Sequence, residues 1–81
     1  MWINTEKGIL VNLDTMESIQ VMEYEDKGKF AVICLNETTT YRLVSDLGSV
    51  MECQDIIKII FDALRKGTEG LDLRKILHIR E

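Results

Sequence analysis

Few residues in this chain have the type and spacing to do chemistry, and each set has a plainer use. His78 is the single histidine. It stands between Leu77 and Ile79, and a lone imidazole there supplies neither a multi-histidine metal site nor a base with an orienting partner. Asp14 with Glu17, and Glu23 with Glu25 and Asp26, are carboxylate groups of the kind that hold a hard cation. Neither follows a calcium-loop spacing, and both border turns, where acids are common. Cys34 and Cys53 are the two cysteines. They form no CxxC pair and have no nearby histidine, so they read as reduced core residues rather than as a disulfide or a metal site.

The remaining candidates point the same way. The five glycines are scattered, with no GxGxxG and no P-loop to cradle a phosphate. Thr38-Thr39-Thr40 is a β-forming and turn cluster. Trp2 and Tyr41 are aromatics that could stack on a base, but such sites interleave several aromatics with basic residues, and these strands are acidic. Core or edge packing is the expected role of both. No catalytic, cofactor-binding or metal-binding residue is expected, and an enzyme is not.

Net charge is −4 over 81 residues, and it is unevenly spread. Residues 1–57 carry four bases and ten acids, a net of −6, whereas residues 58–81 carry six bases and four acids, a net of +2. An acidic balance argues against general nucleic-acid binding, which is built from clustered Lys and Arg. Lys58, Arg65, Lys66, Arg74, Lys75 and Arg80 read first as a solvated face and a polar tail. No apolar run approaches the ~20 residues of a membrane span, and Met1-Trp2-Ile3-Asn4-Thr5-Glu6-Lys7 lacks the pattern of a secretory leader. A cytoplasmic chain forming one domain over 1–81 is expected.

The positioning elements follow from the apolar pattern. Trp2 to Thr5 and Ile9 to Leu13 read as strands joined at Gly8, and Asp14-Thr15 breaks the run. Residues 17–25 alternate, Asp26-Lys27-Gly28 turns, and Phe30 to Leu35 is a strand apolar on both faces. A symmetric hairpin would pair Tyr24 with Phe30, Met22 with Val32, Val21 with Ile33, Gln20 with Cys34 and Ile19 with Leu35. Thr39 to Val44 returns as a further strand carrying Tyr41 and Leu43, its register left open by the loop length.

Ser49-Val50-Met51-Glu52 is a capping box. Val50, Cys53, Ile57, Ile60 and Leu64, widened by Ile56, Phe61 and Ala63, predict an amphipathic helix over 50–66 that closes at Gly67. Residues 71–80 fit either a strand or a short helix capped by Asp72, with the helix slightly favoured. The class is therefore α+β: an antiparallel sheet of four to five meander strands, one amphipathic helix on one face, and a short C-terminal helix or strand.

One helix covers one face of a sheet, and the strand at 30–35 needs cover on both. The tail, or a second copy of the chain, is expected to supply it. Ile33, Leu35, Leu73, Ile76, Leu77 and Ile79 are the expected interface residues, and a homodimer the expected state.

Trp2-Ile3-Asn4-Thr5, Gly8, Leu10-Val11-Asn12-Leu13-Asp14 and the later Asp72-Leu73-Arg74 resemble small bacterial and phage-borne proteins of unknown function. In these a tryptophan-led strand, a Gly turn, a strand meander, one helix and an Asp-Leu-Arg-like tail follow one another. The resemblance implies a fold and a bacterial or prophage origin, and no reaction. The leading functional expectation is a non-enzymatic interaction module that self-associates, with room for a heterologous protein partner. The alternative is a nucleic-acid accessory factor of a mobile element, contacting through Arg65, Lys66, Arg74, Lys75 and Arg80.

Overall fold

A computed structural model of the chain describes residues 1–25 and 28–80, with the side chains of the final helix described through Leu77. The expected turn residues Asp26 and Lys27 lie outside the described residues, as do the side chains of His78, Ile79 and Arg80. The fold is α+β. Its strands are β1 (Trp2–Asn4), β2 (Leu10–Asn12), β3 (Ser18–Glu23), β4 (Phe30–Leu35), β5 (Thr40–Leu47) and β6 (Gly70–Asp72), and its helices are α1 (Val50–Arg65) and α2 (Leu73–Arg80).

The strands form two three-stranded sheets, ordered β2-β1-β6 and β3-β4-β5, where the sequence suggested one meander. The split comes from a single 3-10 turn at Leu13–Thr15 that follows β2. The Asn12 side chain accepts from the Asp14 amide at 3.1 Å, and the Thr15 hydroxyl donates to the Asn12 carbonyl at 2.8 Å. The chain leaves β2 sharply there, so β3 pairs with β4 instead of continuing the first sheet.

Thr5 anchors the β1–β2 turn. It is buried, its hydroxyl accepts from the Ile9 amide at 3.0 Å, and its own amide donates to the Ile9 carbonyl. The first sheet is then completed from far along the chain, by β6 running parallel to β1 with Ile3 opposite Leu71. The residues at 71–80 are thus both a strand and a helix. Asp72 ends β6 and caps α2, its carboxylate accepting from the Arg74 amide at 3.0 Å and from Asn4 Nδ2 at 3.3 Å.

The β3–β4 hairpin is one residue out of the expected register: Ile19 lies opposite Cys34, Val21 opposite Val32 and Gln20 opposite Ile33. The cause is the length of the loop. The Tyr24 amide donates to the Lys29 carbonyl, so four residues rather than an odd number connect the last rung, and Gly28 takes the positive φ of 92° at the loop's end. The slip puts Ile19 and Val21 on the same face as Val32 and Cys34, toward the core.

β5 carries the second irregularity. Its pairing with β4 shifts between Ile33–Arg42 and Val32–Val44, which leaves Leu43 as an extra residue. Leu43 and Val44 are consecutive yet both buried, as a bulge allows. The bulge also joins the sheets: the Leu43 carbonyl accepts from the Glu6 amide at 3.0 Å, and Ser45 Oγ donates to Glu6 Oε1 at 3.1 Å. A further shift toward Phe30–Leu47 coincides with Asp46 at φ 57°, a conformation its short polar side chain tolerates. These extra residues carry β5 three positions past the expected end at Val44.

α1 begins and ends as its sequence predicts. Ser49 Oγ accepts from the Glu52 amide at 3.2 Å, while Glu52 reaches back to the Gly48 amide at 3.0 Å. At the other end the amides of Gly67 and Thr68 donate to the carbonyls of Leu64 and Ala63, with Gly67 at φ 72°. The core is shared by every layer: Ile3 and Val11, Val32, Cys34, Leu43 and Val44, Cys53, Ile56 and Ile60, and Leu73. Each such side chain contributes about 1.5–3 kcal/mol on burial.

Candidate interaction surfaces

The residues with chemical potential are placed apart or inside. Cys34 and Cys53 are free thiols with no exposed surface. Burial pushes both above the ordinary thiol range, Glu52 adds to the effect at Cys53, and the backbone near Tyr41 opposes it at Cys34. Among the described residues, no group of three or more His, Cys, Asp or Glu is placed to hold a metal ion, and no helix is long and apolar enough to cross a membrane.

The six expected interface residues do not form one exposed surface. Leu73 is 1% exposed and belongs to the chain's own core, because α2 turns inward directly after β6. Ile76 and Leu77 are partly buried against that core. Ile33 is buried, Leu35 is partly buried, and the Ile79 side chain lies outside the described residues. The tail packs on β1 rather than over the second face of β4. That face is closed locally. Ala31, with no exposed surface, leaves room above the strand, and the Arg42 guanidinium lies 4.9 Å from the centre of the Tyr24 ring. Tyr24 comes from the β3 side and Arg42 from β5, so the pair joins the two strands that flank β4. The Tyr24 hydroxyl is buried there with no hydrogen-bond partner among the described residues.

Among the described residues, apolar side chains are exposed at Ile9, Tyr41 and Met51 and on two larger surfaces. The first is the outer face of β2-β1-β6. Strand alternation sends Ile3 and Val11 inward and Trp2 and Leu10 outward, diagonally across the Ile3–Val11 rung, where they are 52% and 66% exposed. Their neighbours on that face are Asn4, Asn12, Gly70 and Asp72. β2 itself carries no charge.

The second is an apolar groove of about 320 Å³ between α1 and the start of β3. Leu13, Met16 and Ile19 form one wall, and Ile57, Phe61 and Leu64 the other. Phe61 is 57% exposed and Leu64 45%. They lie on the flank of the α1 stripe, beside Val50 and Ile57, while Cys53, Ile56, Ile60 and Ala63 take the buried centre. Asp14 and Glu17 rim the groove, and Asp14 is engaged by the Met1 amino group at 3.0 Å.

The sequence pattern assigns Trp2 to core or edge packing and places Phe61 and Leu64 in the apolar stripe of α1. The width of the helix stripe was the available signal. The eight stripe positions Val50, Cys53, Ile56, Ile57, Ile60, Phe61, Ala63 and Leu64 span more of the helix circumference than one three-stranded sheet covers, so one flank is left over.

The basic residues are dispersed. Arg65 pairs with Asp62 at 3.9 Å and lies 5.9 Å from the Phe61 ring centre, on the last turn of α1. Arg74 follows β6 and sits beside the Gly8 turn. No family model, curated protein or solved structure matches the chain.

Proposed function

We propose that this chain is a cytoplasmic protein-interaction module without chemistry of its own, and that it self-associates through the outer face of β2-β1-β6. The observation that carries the reading is the exposure of Trp2 and Leu10, diagonal neighbours on a face whose charged strand residue, Asp72, is bonded by Asn4 and the Arg74 amide. A two-fold contact opposes a patch to its own copy, so charged patches repel and uncharged apolar ones do not. Trp is also among the residue types from which interface centres draw most of their energy when packed and dry. The free edge of β2 adds little. Asn12 already gives its carbonyl to Thr15, which leaves Leu10 as the strand residue with outward backbone groups. The contact is therefore a small one, of the reversible kind.

Light scattering across a dilution series tests the proposal, because one chain is 9.3 kDa. The expected result is twice that mass at high concentration, falling toward 9.3 kDa on dilution. A Leu10→Lys variant is expected to stay at the single-chain mass with unchanged circular dichroism. Trp2 is the sole tryptophan, so its emission should shift to the red as the dimer dissociates. A single-chain mass at every concentration would overturn self-association.

A further inference from the structure

We infer that Gly70 is the socket of the self-association contact, and that the Trp2 indole of a second copy lies on its bare backbone. This deepens the self-association reading and rests on it. Trp2 and Gly70 are partners in the β1–β6 pair, so both stand on the outer face, in one rung. A glycine in a strand weakens it, and often marks a bulge, a bend or the close approach of another group. Gly70 has no positive φ to require it, and the β1–β6 register runs without a bulge. Crowding does not require it either. Among the described residues, a Cβ at this position would meet only the Trp2 carbonyl oxygen within 4 Å, at an ordinary 3.9 Å. What remains is an approach from outside the chain.

The β1–β6 half of the face is complementary to its own copy. Stacked sheets keep their strands within about 30° of each other, as a two-fold axis along the strands does. An axis in the contact plane, midway between β1 and β6, carries β1 over the partner's β6 and β6 over the partner's β1. The Trp2–Gly70 rung then sets each large side chain over a missing one. The Asn4–Asp72 rung sets each amide over a carboxylate of the other copy. Asn4 Nδ2 gives one hydrogen to its own Asp72 at 3.3 Å, and an amide carries a second. The two Asp72 carboxylates stand over asparagines rather than over each other. Other axes along the strands match less well. One between β1 and β2 sets Trp2 over Asn12 and Leu10 over Asn4, and one on β1 sets Leu10 over Asp72.

The test joins a substitution at the socket to a contact measured between copies. Valine suits a strand, so Gly70→Val should keep the circular dichroism and hold or raise the urea midpoint. Its mass should nevertheless stay at 9.3 kDa at concentrations where the parent is a dimer. The smaller change, Gly70→Ala, should raise the dissociation constant about tenfold. In a mixture of isotope-labelled and unlabelled chains, the Trp2 ring protons should show a nuclear Overhauser contact to the Gly70 α protons of the other copy. Those α protons should also move upfield with concentration, under the indole ring. A parent at the single-chain mass throughout would overturn the self-association reading itself, and the socket with it. A parent that pairs, while Gly70→Val pairs equally well or the contact between copies is absent, would overturn the socket alone.

Discussion

The two sheets share one core and close themselves in different ways. In β3-β4-β5 the chain folds back on itself through two successive hairpins of six- to eight-residue strands. Its second face is shut by its own Tyr24 and Arg42, and its free β3 edge is flanked by carboxylates. In β2-β1-β6 the strands are three residues long, and the third arrives only after α1. Its outer face leaves Trp2 and Leu10 exposed. Local pairing thus yields a sheet whose strands are all supplied by neighbours in the chain. Distant pairing yields one that depends on the chain's last elements and leaves apolar side chains on its outer face.

That comparison can be broken or sharpened by mutation, beginning where the effect should be largest. Ile60→Ala removes a fully buried side chain beneath α1 and should cost about 2–5 kcal/mol in urea unfolding, felt by both sheets. Leu73→Ala lies in the same range or just below it. Its signature should be unequal: amides of β1, β2 and β6 should lose hydrogen-exchange protection before those of β4. Equal loss in both sheets would show that they open as one unit. Ser49→Ala removes the α1 cap and should cost about 1 kcal/mol, spread over the whole fold. Arg42→Ala should cost less, about 0.5–1 kcal/mol, and leave the solution mass unchanged, since the Tyr24 face is not the proposed interface.

The buried thiols give a pH test. Folding holds Cys34 and Cys53 above the ordinary thiol value, so the native chain keeps protons that the unfolded chain releases. Their contribution is fully present below about pH 8.5 and is lost as pH rises through the folded values. The urea midpoint should therefore fall more steeply above that pH in the parent than in a Cys34→Ala, Cys53→Ala variant. Parallel pH profiles would contradict it.

Local signals were legible. The capping box at Ser49, the stop at Gly67 and the Gly8 hairpin are decided by neighbours within a few residues, and the structure keeps them. What escaped depends on one-residue differences or on distant partners. The β3–β4 register turned on whether the loop at 25–28 holds an even or odd number of residues, and the bulge at Leu43 has no composition signal of its own. The ambiguous 71–80 segment is resolved by β1, nearly seventy positions away, which claims Gly70–Asp72 as a strand before α2 begins. The interaction surfaces were missed because Phe61 and Trp2 look like core residues until the sheets' widths are known. Two small sheets under one helix leave a flank that one broad sheet would have covered.

Self-association through the outer face of β2-β1-β6 is tested most sharply by an amide spectrum of the chain followed on dilution. The account predicts that Trp2, Asn4 and Leu10 shift with the chain's own concentration while Ile19, Val21 and Glu23 stay fixed. Movement of the β3 amides on dilution, or no movement anywhere, would contradict it.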